Sequence, residues 1–87
     1  MALKPVKLTD KYQLVAEGEC TIQVKGGVAR VYVGNSKPDD DTIAYYEISD
    51  FFSYTGDEKV WVRYDYDPLD TDVMAVVDNP VHPPYWE

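Results

Sequence analysis

The sequence predicts an all-β fold, a small antiparallel β-sandwich or barrel with extended amino- and carboxy-terminal arms. Three observations carry that expectation. Apolar residues recur with a period of two along nearly every apolar run. β-Branched and aromatic side chains fill those runs, and clusters of Gly, Pro, Asn and Asp separate them. No convincing helix is read anywhere, and the spacing of the turn signals predicts roughly five to seven short strands.

Residues 1–11 read as an amino-terminal arm. Pro5 blocks helix there, while Lys4 and Lys7 alternate with Leu3, Val6 and Leu8. Residues 12–78 read as the β-sandwich domain. Tyr12–Val15 begins it as a short strand, and Glu17-Gly18-Glu19 turns the chain. The pair Gly26-Gly27 then predicts a two-residue hairpin between two alternating runs. That turn would set Val24 opposite Ala29, Ile22 opposite Val31 and Cys20 opposite Val33 on a buried face. Gln23, Lys25, Arg30 and Tyr32 fall on the other face, and a slip of one residue would invert both.

Gly34–Thr42 concentrates loop formers. Ile43–Ile48 returns to strand with Ala44, Tyr46 and Ile48 expected inside, and Asp50–Gly56 reads as an aromatic turn. Glu58–Tyr66 is the longest strand, with Trp61 facing away from Val60, Val62 and Tyr64. A loop at Asp67–Asp70 would pair Val60, Val62 and Tyr64 with Val77, Ala75 and Val73. It would also set Lys59 against Asp78 and Asp65 against Asp72. Residues 79–87 form a proline and aromatic arm that cannot join a central strand.

A chain of 87 residues makes one domain. At that size only roughly 60 to 65 per cent of the unfolded surface is hidden on folding. Such a core rarely contributes more than about 3–5 kcal/mol net, so association with other subunits is the expected support. Cys20 is the only cysteine, which excludes a disulfide within the chain and points to a reducing cytoplasm. Its alternation with Ile22 and Val24 predicts a buried structural thiol. No apolar run approaches the roughly 20 residues of a membrane span, nor is the apolar run of a signal peptide present.

The net charge of −8 is distributed unevenly. Up to Lys37 there are six basic and three acidic residues, and beyond it Lys59 and Arg63 stand against thirteen carboxylates. A partner could therefore meet one face while the solvent meets another. Direct nucleic-acid binding is not expected, because a strongly acidic chain repels phosphate.

Catalysis needs a nucleophile or base beside a group that orients it. His82, the only histidine, sits among prolines far from Cys20, and the carboxylates cluster in turns where water keeps their pKa values ordinary. A non-enzymatic protein without cofactor is expected. The turn carrying Asp65, Asp67, Asp70 and Asp72 offers hard oxygen ligands for Ca²⁺, but Leu69 stands at a ligand position and the glycine and distant glutamate of an EF-hand are missing. A solvated acidic turn is the simpler expectation. Tyr32, Tyr45 and Trp61 fall on the outward strand faces, where they either form a patch for sugar or protein or become core under a second sheet.

Three stretches carry a resemblance: Gly18-Glu-Cys-Thr-Ile-Gln-Val, Gly27-Val-Ala-Arg-Val-Tyr-Val-Gly34 with its Ser-Lys-Pro-Asp loop, and Phe52-Ser-Tyr-Thr-Gly-Asp-Glu-Lys-Val-Trp-Val-Arg63. Over roughly residues 12–77 this cadence of strands and turns resembles small structural proteins of tailed-phage virions. The resemblance implies a capsid decoration or cement protein that clamps neighbouring major capsid proteins, made in the host cytoplasm and residing in the virion. Homo-oligomers are expected, and many weak contacts in a closed lattice add up through effective concentration. Leu3, Val6, Tyr85 and Trp86 are the expected anchoring residues. The alternatives are a head fibre, tail adaptor or fibre component, an acidic DNA mimic that inhibits a host nuclease, and a carbohydrate-binding module using Tyr32, Tyr45 and Trp61.

Overall fold

The computed structural model describes residues 3–66 and 73–78. Eight strands run in the order β1 (Leu3–Lys7), β2 (Gln13–Glu17), β3 (Cys20–Lys25), β4 (Val28–Val33), β5 (Tyr46–Ile48), β6 (Phe51–Tyr54), β7 (Lys59–Tyr66) and β8 (Met74–Asp78). They form two four-stranded sheets with strand orders β1-β8-β3-β6 and β2-β7-β4-β5, in which every described pair is antiparallel. The two sheets pack face to face, so the all-β sandwich expected from the alternation is what the chain forms.

The pairings nest: β1 with β8, β2 with β7, β3 with β6 and β4 with β5. The chain doubles back on its middle and the doubled ribbon is then rolled. That nested order over eight strands in two sheets is the topology of a jelly roll.

Between the sheets lies a core of small and β-branched side chains. Ile22, Val24, Ala75 and Val77 come from one sheet, and Val15, Ala29, Val31, Val60 and Val62 from the other. Val33, Ile48, Phe52, Tyr54 and Tyr64 close its rim. In β2 the register shifts between Leu14 and Ala16, so that Val15 and Ala16 are both buried although they are consecutive. A bulge of this kind lets two neighbouring side chains share the inner side.

Neither expected hairpin forms. β3 pairs with β6 and β8, β4 pairs with β5 and β7, and the Gly26-Gly27 turn carries the chain from one sheet to the other. Gly26 takes a φ of 87°, a conformation that suits glycine and tips the chain across the sandwich. The same correction holds for β7 and β8, which lie in different sheets. Lys59 is therefore in register with Glu17 rather than Asp78, and Asp65 meets Arg30, while its expected partner Asp72 lies outside the described residues. Alternation predicted the right faces in both places, since Cys20, Ile22, Val24, Ala29 and Val31 are buried, as are Val60, Val62, Val73, Ala75 and Val77, while Val33 and Tyr64 are half-buried at the rim. Two strands with matching inner faces satisfy the same pattern side by side in one sheet or stacked across a sandwich, so the pattern alone does not separate the two.

The segment Ile43–Ile48 is a strand only over Tyr46–Ile48, with Ile43 92% and Tyr46 60% exposed, and Ala44 is exposed as well. Its neighbour on the inner side is the edge of the sandwich, where nothing covers those positions completely. Asp50–Gly56 is not simply a turn, because Phe51–Tyr54 adds a strand to β3. The expected amino-terminal arm contributes β1 to the chain's own sheet by pairing with β8. The expected carboxy-terminal arm lies outside the described residues.

Candidate functional site

The outer face of the β2-β7-β4-β5 sheet is built around two arginines. Arg30 on β4 stands in register with Arg63 on β7 and with Glu47 on β5. Like charges directly opposite one another are unfavourable, and the surrounding groups offset them. Asp65, two residues along β7 from Arg63, accepts a hydrogen bond from Arg30 Nε at 2.5 Å, with both side chains about four-fifths buried (22% and 20% exposed). The Arg30 guanidinium also lies 4.5 Å from the centre of the Tyr45 ring, within the range of a cation–π contact. Hydrogen bonding to Asp65 holds the Arg30 pKa above its ordinary value. Arg63 donates from Nη1 to the Asp40 carbonyl and from Nε to the Tyr64 carbonyl.

These bonds pin the connection between β4 and β5 across the sheet. Asp40 Oδ1 accepts the Tyr12 backbone N–H at 3.1 Å, and its other oxygen lies 3.7 Å from Lys11 Nζ. The Tyr12 amide, aided by Lys11, holds the Asp40 carboxyl below its ordinary value. Trp61 donates its indole N–H to the Gly34 carbonyl at 2.9 Å. Beneath the connection Tyr12 meets Tyr32 edge-on, with centroids 6.3 Å apart and planes at 64°. Burial pushes the Tyr12 hydroxyl's pKa up, and that hydroxyl has no hydrogen-bond partner among the described residues. Tyr32 and Trp61 are thus outward-facing but half-buried under the chain's own connection, and Tyr45, expected on a strand, is a half-buried part of that connection, just before β5.

Two grooves open along the sides of the sandwich, where the edges of the two sheets meet. One has a volume of about 710 Å³ and is lined by Tyr32, Tyr45, Tyr46, Phe52, Tyr54 and Glu58. Its aromatic wall is held together by Tyr46 and Phe52, whose rings tilt at 39° with centroids 5.5 Å apart. Tyr54 is fixed by its hydroxyl, which accepts the Glu58 N–H at 3.0 Å. The second groove, about 620 Å³, lies on the opposite side between β1 and β2, lined by Pro5, Tyr12, Leu14 and Trp61 with Lys7 and Lys37 on its border. The volumes fall in the range that binds small ligands, and the first carries an acidic side chain, the second basic ones.

Among the expected anchoring residues, Leu3 is 64% exposed, whereas Val6 is 7% exposed and belongs to the chain's own core. Val6 alternates inward because β1 is a paired strand, so it is not a contact for a neighbour. Tyr85 and Trp86 lie outside the described residues, as do His82, Asp67, Asp70 and Asp72. Asp65 is committed to Arg30. Cys20 is buried, and burial followed by the nearby Asp78 charge pushes its thiol up to about 11. Among the described residues no three carboxylate, cysteine or histidine side chains gather in a way that could hold a metal ion.

The grooves draw on residues that pattern reading assigned elsewhere. Asp50–Gly56 reads as an aromatic turn by composition, yet the alternation of Phe52 and Tyr54 with Phe51 and Ser53 is the signal of a strand with Phe52 and Tyr54 inward. The role of Asp40 as a fastening carried no signal, because an acidic loop reads the same whether it is free or pinned. No family model, curated protein or solved structure matches this chain.

Proposed function

We propose that this chain is a non-enzymatic structural protein of a tailed-phage virion, most specifically a capsid decoration protein that seats on the major capsid protein. The observation that carries this reading is the exposed apolar side of the sandwich, where Ile43 is 92% and Tyr46 60% exposed beside the aromatic groove. Large apolar side chains grouped on one surface mark an interaction site. The eight-stranded jelly roll is also an architecture that viral coat domains use, an analogy of fold that lends weight without fixing a role. A small core gains from contacts with neighbours, and repeated weak contacts around a shell sum to firm attachment.

Seating would place Tyr46 in a pocket of the capsid protein, with Leu3, Tyr85 and Trp86 reaching adjacent subunits. The test is co-sedimentation of purified protein with expanded capsids at physiological salt. Wild-type protein is expected to saturate the shells, and Tyr46→Ser to lower occupancy about tenfold or more, as loss of an aromatic anchor does, with its circular dichroism unchanged. Failure of the wild type to bind shells while attaching to tails or fibres would replace decoration with the tail-adaptor reading. Binding unaffected by Tyr46→Ser would remove this side of the sandwich from the interface.

A further inference from the structure

The two sheets differ in what covers their outer faces. One carries the pinned connection, while the outer face of β1-β8-β3-β6 bears only its own side chains among the described residues. We infer that this face, bare among the described residues, docks on the same face of a second copy of the chain. The inference concerns only the chain's contact with itself; apart from Leu3, which both readings use, it is independent of the capsid reading.

Register places three rows across the strands of this face. Pro5, Val76, Gln23 and Phe51 form the middle row, one residue from each strand in turn. Leu3, Asp78, Thr21 and Ser53 form the row at one end, and Lys7, Met74 and Lys25 the row at the other. Leu3 and Phe51 are 64% and 62% exposed, and Val76 and Met74 are half-buried in the middle of the sheet. The face is therefore apolar along its centre except at Gln23, with Asp78 at one end and Lys7 and Lys25 at the other.

A two-fold axis in the plane of contact and perpendicular to the strands maps this arrangement onto its complement. The middle row meets itself, Val76 against Val76. The end rows exchange places, so each Asp78 arrives over the partner's Met74 column with a lysine in the flanking column on either side. Such self-complementarity is what a closed two-fold interface requires.

Size sets the strength. Four strands about 4.8 Å apart and five residues of about 3.4 Å each span roughly 300 Å² of sheet. A standard stable interface buries about 800 Å² on each partner. The contact is accordingly weak, forming in concentrated solution or where copies are already held side by side.

Sedimentation velocity on the full chain from about 10 µM to about 1 mM protein, a range suited to a contact this small, reads the monomer–dimer equilibrium. Wild-type protein is expected to dimerise reversibly within that range. Lys25→Glu and Asp78→Lys should each weaken the dimer about tenfold through like-charge contacts. The double exchange restores an opposite-charge contact at the Lys25 column while Lys7 still flanks the other side, so it should bind several-fold more tightly than either single change without reaching wild type. Val76→Asp places two carboxylates on the axis and should abolish the dimer, with thermal melting of each variant confirming that the fold persists. A wild type that stays monomeric throughout, leaving the face to another occupant such as residues 79–87, overturns the inference. So does a dimer that ignores all three single changes, or a double exchange that binds no more tightly than either of its single changes.

Discussion

Arg30 and Arg63 face each other across β7 and β4, and Asp65, diagonal to Arg30, is the closest of the groups that offset the like charges. The Arg30–Asp65 contact is about four-fifths buried, so water does little to replace it once it is broken. Asp65→Ala should therefore cost about 1.5–3 kcal/mol, the range for a hydrogen bond to a charged group, read as a lower urea midpoint with an unchanged slope. A loss under about 0.5 kcal/mol, the size of an exposed pair, would mean that Glu47 and the Tyr45 ring suffice. At this scale burial was readable from the alternation of Cys20, Ile22 and Val24. The Arg30–Asp65 pair was not, because its partners are thirty-five residues apart and meet only once β4 and β7 are known to be neighbours.

At the scale of elements, the connection between β4 and β5 carries the pH dependence. Asp40 is held below its ordinary pKa by the Tyr12 amide and Lys11. Its fastening is complete above the ordinary carboxylate range, near pH 4, and is lost as pH falls through the lowered folded value. The direction follows from linkage, since the unfolded carboxyl takes up its proton first as the pH drops. Asp40→Ala should show the released state at neutral pH: faster hydrogen exchange at the Tyr12 amide and faster proteolytic cleavage between residues 34 and 45. Equal exchange in variant and wild type would show that Trp61 and Arg63 hold the connection without Asp40. The existence of most elements was legible from period two. Their partners were not, because the glycine pair at 26 and 27 suits a tight hairpin and a turn between sheets alike, and only the packing of the whole sandwich decides between them.

Over the whole molecule, the class of fold was legible and the rolled topology was not. Short-range patterns state which face of a strand is inside, whereas the nesting of β1 with β8 and β2 with β7 depends on pairings that span most of the chain. Both edges on one side are guarded: Pro5 removes a donor from β1 and the irregularity at Val15 breaks β2. Every connection except that from β4 to β5 crosses between the sheets, so few contacts are local. Refolding should accordingly occur in milliseconds to seconds, as for other β-sandwiches, followed by tryptophan fluorescence after dilution from urea. Complete recovery in microseconds would contradict an origin in distant pairings.

The nesting also orders events during synthesis. Leu3 is among the first described residues to leave the ribosome, and its ladder partner is Asp78. β3 likewise holds β6 early but β8 only at the end. The nascent chain therefore emerges with its innermost pair, β4 and β5, able to form first and its outermost last. Until the eighth strand is translated, the apolar inner side of half the sandwich has no lid, so a pause late in translation is the moment at which this protein is most open to aggregation.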